Sequence, residues 1–367
     1  MTVYIIICSF LAFFCFVEVF FNKQLRDIRA LFYLYFVIFL ILFSGLRSLG
    51  VGTDDFTYYD KFLEVPSIIH WIDGDFTYSF AKVWMEPAYI FIGAISKSIS
   101  LHPTALFLPV AFLSITIASY YYKKISPYYF MSMMLFFSHT YLYRDINQMR
   151  SAIACAIGLG IVWAIYHRKK LASVVLIVVS TCFHMVGLTY LVALTFEKIS
   201  HIRKLHLYCL ILAIVISLSG FVSIIIGNIT FLGVISTKIA GYTSTDRFVN
   251  SVGLFDVTNI KNILVFLCCY YFWNSLSNRY ELFRVCFTFF TFGMLWRIAF
   301  SELGVLAARV ATVFTITEVI LIPMLVGIFK QKIIPTIIVV IYAFLMLYIN
   351  LFLKDGRNPY SMSIGIL

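Results

Sequence analysis

The chain has 367 residues, 62% of them hydrophobic and only 12% charged, with a mean hydropathy of +0.95. Soluble proteins carry about 25% charged residues, so a soluble globule is excluded; the apolar runs are continuous rather than alternating, which also excludes a β-barrel. The formal charge of +11 does not signal nucleic acid, because the basic residues gather in short clusters between apolar runs, as they do in the cytoplasmic loops of polytopic proteins.

Apolar segments fall at about 3–21, 31–47, 87–101, 104–122, 127–143, 151–166, 171–195, 205–227, 261–276, 282–300, 304–328 and 333–353. A helical span needs about 20 apolar residues, so the expected fold is all-α: a polytopic integral membrane protein of about ten to twelve transmembrane helices in a single membrane domain over 1–367. Two connections are long, 48–86 and 228–260. The first segment follows no basic n-region and leads to no small-residue cleavage site, so 3–21 is expected to be a retained span. All eight cysteines lie within or at the edge of apolar segments with no CxxC spacing; they read as small buried hydrophobes.

Lys23, Arg26 and Arg29 assign the first connection to the cytoplasm, and Arg279, Arg284, Lys330 and Lys332 do the same near the other terminus. Loops 48–86 and 228–260, the connection near 297–304 and the tail after Lys354 then lie outside. The middle conflicts with this if every segment crosses, since Lys123/Lys124 and Arg168/Lys169/Lys170 would also face out. The conflict disappears if 87–101 is a half-span and 171–195 is a pair of half-helices turning near Phe183-His184. That solution has ten full spans and places Arg144 to Arg150 outside, and broken helices are tolerated where they line a cavity.

Ionisable residues against spans mark ligand paths. Arg47 ends a span and meets a Gly50/Gly52 turn able to bring backbone N–H groups close to an anion; the alternative is an arginine snorkelling to the interface. Asp54 and Asp55 follow, with Tyr58 and Tyr59 placed to stack on sugars. Glu86-Pro87 opens a helix, where the carboxylate either caps the N-terminus or acts as a general base. Arg150, with Arg144 roughly two turns earlier, suits a bidentate phosphate clamp or interfacial anchoring. His184 stands alone in an apolar run, as a structural hydrogen-bonding group or a functional one; no second His or Cys lies at ligand spacing, so no metal is expected. Arg297, Glu302 and Arg309 surround one outer connection, as an ion pair or as part of a site. Asp246-Arg247 and Asp256 punctuate the second long loop, which reads equally as a lid or as a solvated loop. Together these side chains describe a cationic, aromatic-lined outer cavity suited to a lipid-linked phosphosugar.

The ordered set also carries a resemblance. Arg47 followed by Gly52-Thr53-Asp54 and Tyr58, then Glu86-Pro87 with Tyr89, Met149-Arg150 with Ala152-Ile153-Ala154, Phe183-His184, and Arg309 near the start of a span that reaches a proline, resembles the EpsG-like and Wzy-type bacterial polysaccharide polymerases over roughly residues 40–325. Ser151 stands where the family pattern has glutamine, and Gln148 lies on the other side of Arg150. The resemblance implies a GT-C-like fold in the bacterial inner membrane and glycosyl transfer, inverting or retaining, on the periplasmic face. A growing glycan, O-antigen or a related repeat of a lipopolysaccharide or other polysaccharide, would pass from undecaprenyl diphosphate to a lipid-linked repeat unit, with no nucleotide sugar, cofactor or metal. It also suggests a chain-length regulator protein as a partner. Arg47, Arg150 and Arg309 would hold the diphosphate, Asp54 or Glu86 would take the acceptor proton, and His184 would orient or protonate nearby; Arg144, Tyr58, Arg297 and Glu302 join the set by position. Two other functions fit parts of the pattern. One is a GT-C transferase adding a single sugar from a polyprenyl-phosphate donor, marked by the Asp54-Asp55 pair. The other is a flippase or transporter of lipid-linked oligosaccharide, which would favour internal repeats.

Overall fold

The computed structural model describes residues 1–21, 25–220, 253–353 and 358–363. Asp246 and Arg247 of the second long loop lie outside the described residues, as do Lys354 to Arg357 of the tail. The described residues are helical with no β-strand; a lone antiparallel bridge joins Arg47 to Met362. The chain is a polytopic membrane protein. Five helices are long and apolar enough to cross a bilayer, and a bent pair makes a sixth; the remaining apolar segments form shorter or broken helices.

The helices are, in order, α1 (Thr2–Phe20), α2 (Arg26–Gly45), α3 (Asp55–Glu64), α4 (Ile68–Ile72), α5 (Phe80–Val83), α6 (Pro87–Lys97), α7 (Pro103–Ile125), α8 (Tyr129–Leu135), α9 (Met149–Tyr166), α10 (Lys170–Phe183), α11 (Phe196–Ile199), α12 (Arg203–Ser219), α13 (Val257–Tyr271), α14 (Trp273–Arg279), α15 (Phe283–Ala299), α16 (Gly304–Thr315), α17 (Glu318–Ile328) and α18 (Ile333–Tyr348). A π-helical stretch, Phe136–Asp145, continues α8, and a 3₁₀ stretch, Met185–Thr195, follows α10. α9 is buried on nearly every side. Its run of Ser, Ala and Gly lets α7, α10 and α15 to α16 pack closely around it.

Two segments are too short to cross as single α-helices. α6 has 11 residues, about 16 Å, half of a bilayer core of about 30 Å. Its C-terminal Lys97 donates to the carbonyls of Leu63 and Val65 at 2.6 and 2.8 Å, so it ends beside the 48–86 loop. α10 and the 3₁₀ stretch run out and back as a hairpin. Arg168, just before the first, pairs with Glu197, just after the second, at 2.8 Å. The two arms match in length, about 21 Å for 14 α-helical residues and about 22 Å for 11 in 3₁₀ form.

This hairpin brings the basic clusters to one end of the bundle. Lys124 and Lys169 both lie over the Trp163 ring, at 3.8 and 4.7 Å. Tyr166 reaches Glu281 near Arg279, and Lys332 lies over Tyr128. Residues 144–150 join the 48–86 loop at the other end, where the Asn147 amide oxygen accepts from the Thr53 hydroxyl and the Asp54 N–H. Two features of that reading are present in the structure, a short α6 and an α10 that folds back along the 3₁₀ stretch.

Glu18, a lone carboxylate in an apolar run, is fully buried and accepts the first N–H groups of α8, from Tyr129, Phe130 and Met131, at 2.9, 2.9 and 3.3 Å. A helix N-terminus presents unsatisfied donors and positive potential there, and Arg29 closes the cluster by donating to the Tyr129 hydroxyl. Glu18→Ala strands these donors. The expected loss is about 1–3 kcal/mol, read as a lower melting temperature in detergent.

Candidate functional site

The loop after α2 is held by an ion pair sealed from solvent. Arg47 Nη2 and Nε donate to the two Asp55 carboxylate oxygens at 2.8 and 3.3 Å, with both side chains fully buried. Nη1 donates to the Ser44 carbonyl at 2.5 Å, and the guanidinium stacks 4.1 Å from the Phe107 ring centroid. Asp55 also accepts the Gly52 N–H at 2.7 Å. Gly50 has φ +92°, and Gly52 packs so tightly that a Cβ would run into the Ile146 carbonyl oxygen; the two glycines serve this turn. Arg47 is therefore fully buried, with its donors turned to Asp55 and Ser44. The expected carboxylate pair is divided, with Asp55 consumed in the fold and Asp54 left half-buried at the start of α3.

The second cluster joins three distant segments. Glu86 precedes Pro87 at the start of α6 but makes no capping bond to its own helix. One of its oxygens accepts from Arg150 Nη1 at 2.5 Å, and the other accepts the Met185 N–H at 3.0 Å. Glu86 is buried and Arg150 retains partial exposure, 6% and 20% for the side chains. The buried Arg150 Nε has no hydrogen-bond partner, so this arginine keeps a donor beyond its pair with Glu86. Its guanidinium lies 5.6 Å from the Tyr58 ring centroid. Burial pushes the Tyr58 hydroxyl above its ordinary range; Asp54, Arg150 and Arg309 all lie within its electrostatic reach. Asp54, Tyr58, Glu86, Arg150 and Arg309 thus surround one place.

Arg144, buried in the π-helical stretch, donates from Nη1 to the side chains of Gln148 and Ser151. The serine that departs from the expected pattern and the neighbouring glutamine both hold Arg144 rather than Arg150. His184 sits at the hairpin tip in an extended conformation, where its Nδ1 accepts the Val186 N–H at 3.1 Å and starts the 3₁₀ stretch. It is next to Met185 and so beside Glu86. Arg297 lies elsewhere. It donates to Asp256 at 2.9 Å, while Asp256 caps α13 through the Thr258 N–H. Glu302 lies in the α15–α16 connection near Gly220. Among the described residues no three His, Cys, Asp or Glu side chains come together as a metal site.

An apolar groove of about 390 Å³ is lined by Tyr78, Phe80, Glu86 and Pro87 together with Ile177, Cys182 and Leu188 of the hairpin. A carboxylate–arginine pair beside an apolar groove is an arrangement that suits an anionic lipid head and its tail.

The model of the EpsG family matches residues 30–362. The chain belongs to the EpsG family. Among its relatives is the amylovoran biosynthesis protein AmsC of Erwinia amylovora, 25% identical over 329 residues that cover 88% of this chain and 87% of the relative. No solved structure matches the chain. The match takes in Arg47, Glu86, Arg150, His184 and Arg309, so both clusters lie within the EpsG region.

Reading the sequence missed Glu18, Lys261 and Glu318, each an ionisable side chain in or against an apolar run. The rule that singled out Arg150 applies to them equally. It also missed that Asp55 is the partner of Arg47, for which no local sequence signal exists.

Proposed function

We propose that this EpsG protein is a polysaccharide polymerase. It would transfer a glycan from undecaprenyl diphosphate to a lipid-linked repeat unit, at the end of the bundle that carries Arg150, facing away from the cytoplasm. The carrying observation is the Glu86–Arg150 pair beside an apolar groove, with Arg309, Tyr58 and Asp54 around it. Family membership and the polysaccharide-biosynthesis relative support the same reading.

In this mechanism the donor diphosphate takes the Arg150 guanidinium, a stronger bidentate partner than one carboxylate oxygen, and the prenyl chain occupies the groove. Displacement frees Glu86 to accept the proton of the acceptor hydroxyl. The hydroxyl oxygen forms a bond to the anomeric carbon, the C1–O bond to the diphosphate breaks, and the diphosphate leaves with the electron pair, stabilised by Arg150 and Arg309. Arg144, fixed by Gln148 and Ser151, adds positive potential. Arg47 is a positioning residue, holding the turn that leads to Asp54 and Tyr58. The single-sugar transferase reading drew on two adjacent carboxylates, and Asp55 is committed to Arg47.

A deletion strain tests the reading. Lipid-linked single repeat units are expected to accumulate on the outer face of the inner membrane, and wild-type protein should restore a ladder of long products. Accumulation on the inner face would point to a flippase, and restoration of only a single-sugar addition to a transferase.

A further inference from the structure

A second polar region lies between α13, α15, α16, α17, α18 and the π-helical stretch. α16 and α17 form a broken span bent by 44°, with the break just before Glu318. Facing it, the π-helical stretch contributes Ser138, His139 and Thr140. Membrane helices leave α geometry where the freed backbone lines a cavity, and π-bulges gather at functional sites. Between these irregular stretches is a small cavity of about 50 Å³.

Its walls hold charge in cancelling pairs. Lys261 Nζ meets Glu318 at 2.5 Å, the Tyr342 hydroxyl donates to the other Glu318 oxygen, and Arg297 pairs with Asp256. Two polar atoms are left over. Asn262 Oδ1 and Arg297 Nε are buried without a partner, on residues only 1% and 9% exposed. A buried acceptor and a buried donor on residues that line the same cavity are expensive unless something enters to meet them.

We infer that this cavity binds the hydroxyl-bearing edge of a neutral sugar ring in the glycan substrate, and so selects which sugar is polymerised; this rests on the polymerase reading. The cancelled charges disfavour a phosphate. The leftover donor and acceptor, with the hydroxyls of Thr258, Thr312 and Tyr342, suit vicinal hydroxyls, while Leu135 and Val319 offer an apolar wall for ring C–H groups. The cavity has room for about four waters, which matches the hydroxyls along one ring edge and not a whole chain. Position agrees as well. α16 carries Arg309 three residues before Thr312, and the π-helical stretch carries Arg144 five residues after His139. The cavity is therefore built on the same two elements that bring arginines toward the diphosphate.

The test uses full-length protein in nanodiscs and two probes: the repeat oligosaccharide released from the host polysaccharide by mild acid, free of lipid and phosphate, and undecaprenyl diphosphate. Saturation-transfer NMR should show wild-type protein binding the oligosaccharide. Asn262→Leu should weaken that binding at least tenfold, with melting temperature and undecaprenyl-diphosphate binding unchanged. Thr312→Val serves as a second variant should the first fail to fold. Oligosaccharide binding of equal strength in wild type and both variants overturns the proposal, as does no binding to wild type. The polymerase reading fails on a separate measurement, production of polymer in membranes, which binding of a released oligosaccharide does not require.

Discussion

Arg150→Met should abolish long-chain polymer while leaving a stably inserted protein, with turnover in membranes falling by 10²-fold or more. A group that neutralises a leaving diphosphate inside a water-poor site is worth about 3–4 kcal/mol when removed. Arg150 is suited to that role because it combines partial exposure, an unpartnered Nε and a carboxylate that a diphosphate can displace. Arg150→Lys keeps the charge but loses the planar fork, so it should recover only part of the activity. Glu86→Gln should depress the chemical step while the apparent affinity for the lipid donor stays the same or rises, because Arg150 no longer has a competing anion. Normal product ladders from Arg150→Met at wild-type expression would remove Arg150 from the mechanism.

The fold was legible where physics is local. Hydropathy located the apolar segments, and the basic clusters favoured two of them turning back, since only then do Lys123/Lys124 and Arg168/Lys169/Lys170 share a side with the basic clusters near both termini. His184 could be named as the turning point because no other histidine, acidic or basic residue lies in that run. The site was legible as a set of residues but not as a set of contacts. Glu86 and Arg150 are 64 positions apart, and nothing in either neighbourhood announces the other. The Glu86-Pro87 dipeptide reads as a helix cap, yet its carboxylate turns to Arg150 and to the Met185 N–H at the hairpin tip. Glu18 and Glu318 stand alone in runs so apolar that any window averages them away, although single carboxylates there are expensive and for that reason informative. The polar cavity between the broken span and the π-helical stretch follows from backbone irregularity, which hydropathy does not encode.

The largest effect on stability is expected at Arg47 and Asp55. Both side chains are fully buried, so removing one leaves the other as an uncompensated charge away from water. Breaking such a pair costs about 3–5 kcal/mol, whereas replacing both members with apolar groups of similar shape is often close to neutral. Arg47→Met and Asp55→Leu alone should therefore lower the melting temperature in detergent and reduce the amount of inserted protein, while the double variant should regain much of the stability of the wild type. Activity separates positioning from ligand contact. If Arg47 only holds the turn, the single variants lose activity in proportion to folded protein, and the double variant recovers both together, reduced to the extent that Gly52, Asp54 and Tyr58 shift when Asp55 no longer accepts the Gly52 N–H. A double variant that folds as well as wild type yet fails to bind undecaprenyl diphosphate would instead place Arg47 on the ligand, which requires the loop to open before the donor enters. The Phe107 ring beneath the guanidinium and the pairing of Ser48 with Ser361 and of Leu46 with Ser363 hold that loop closed, and for this reason the first outcome is expected.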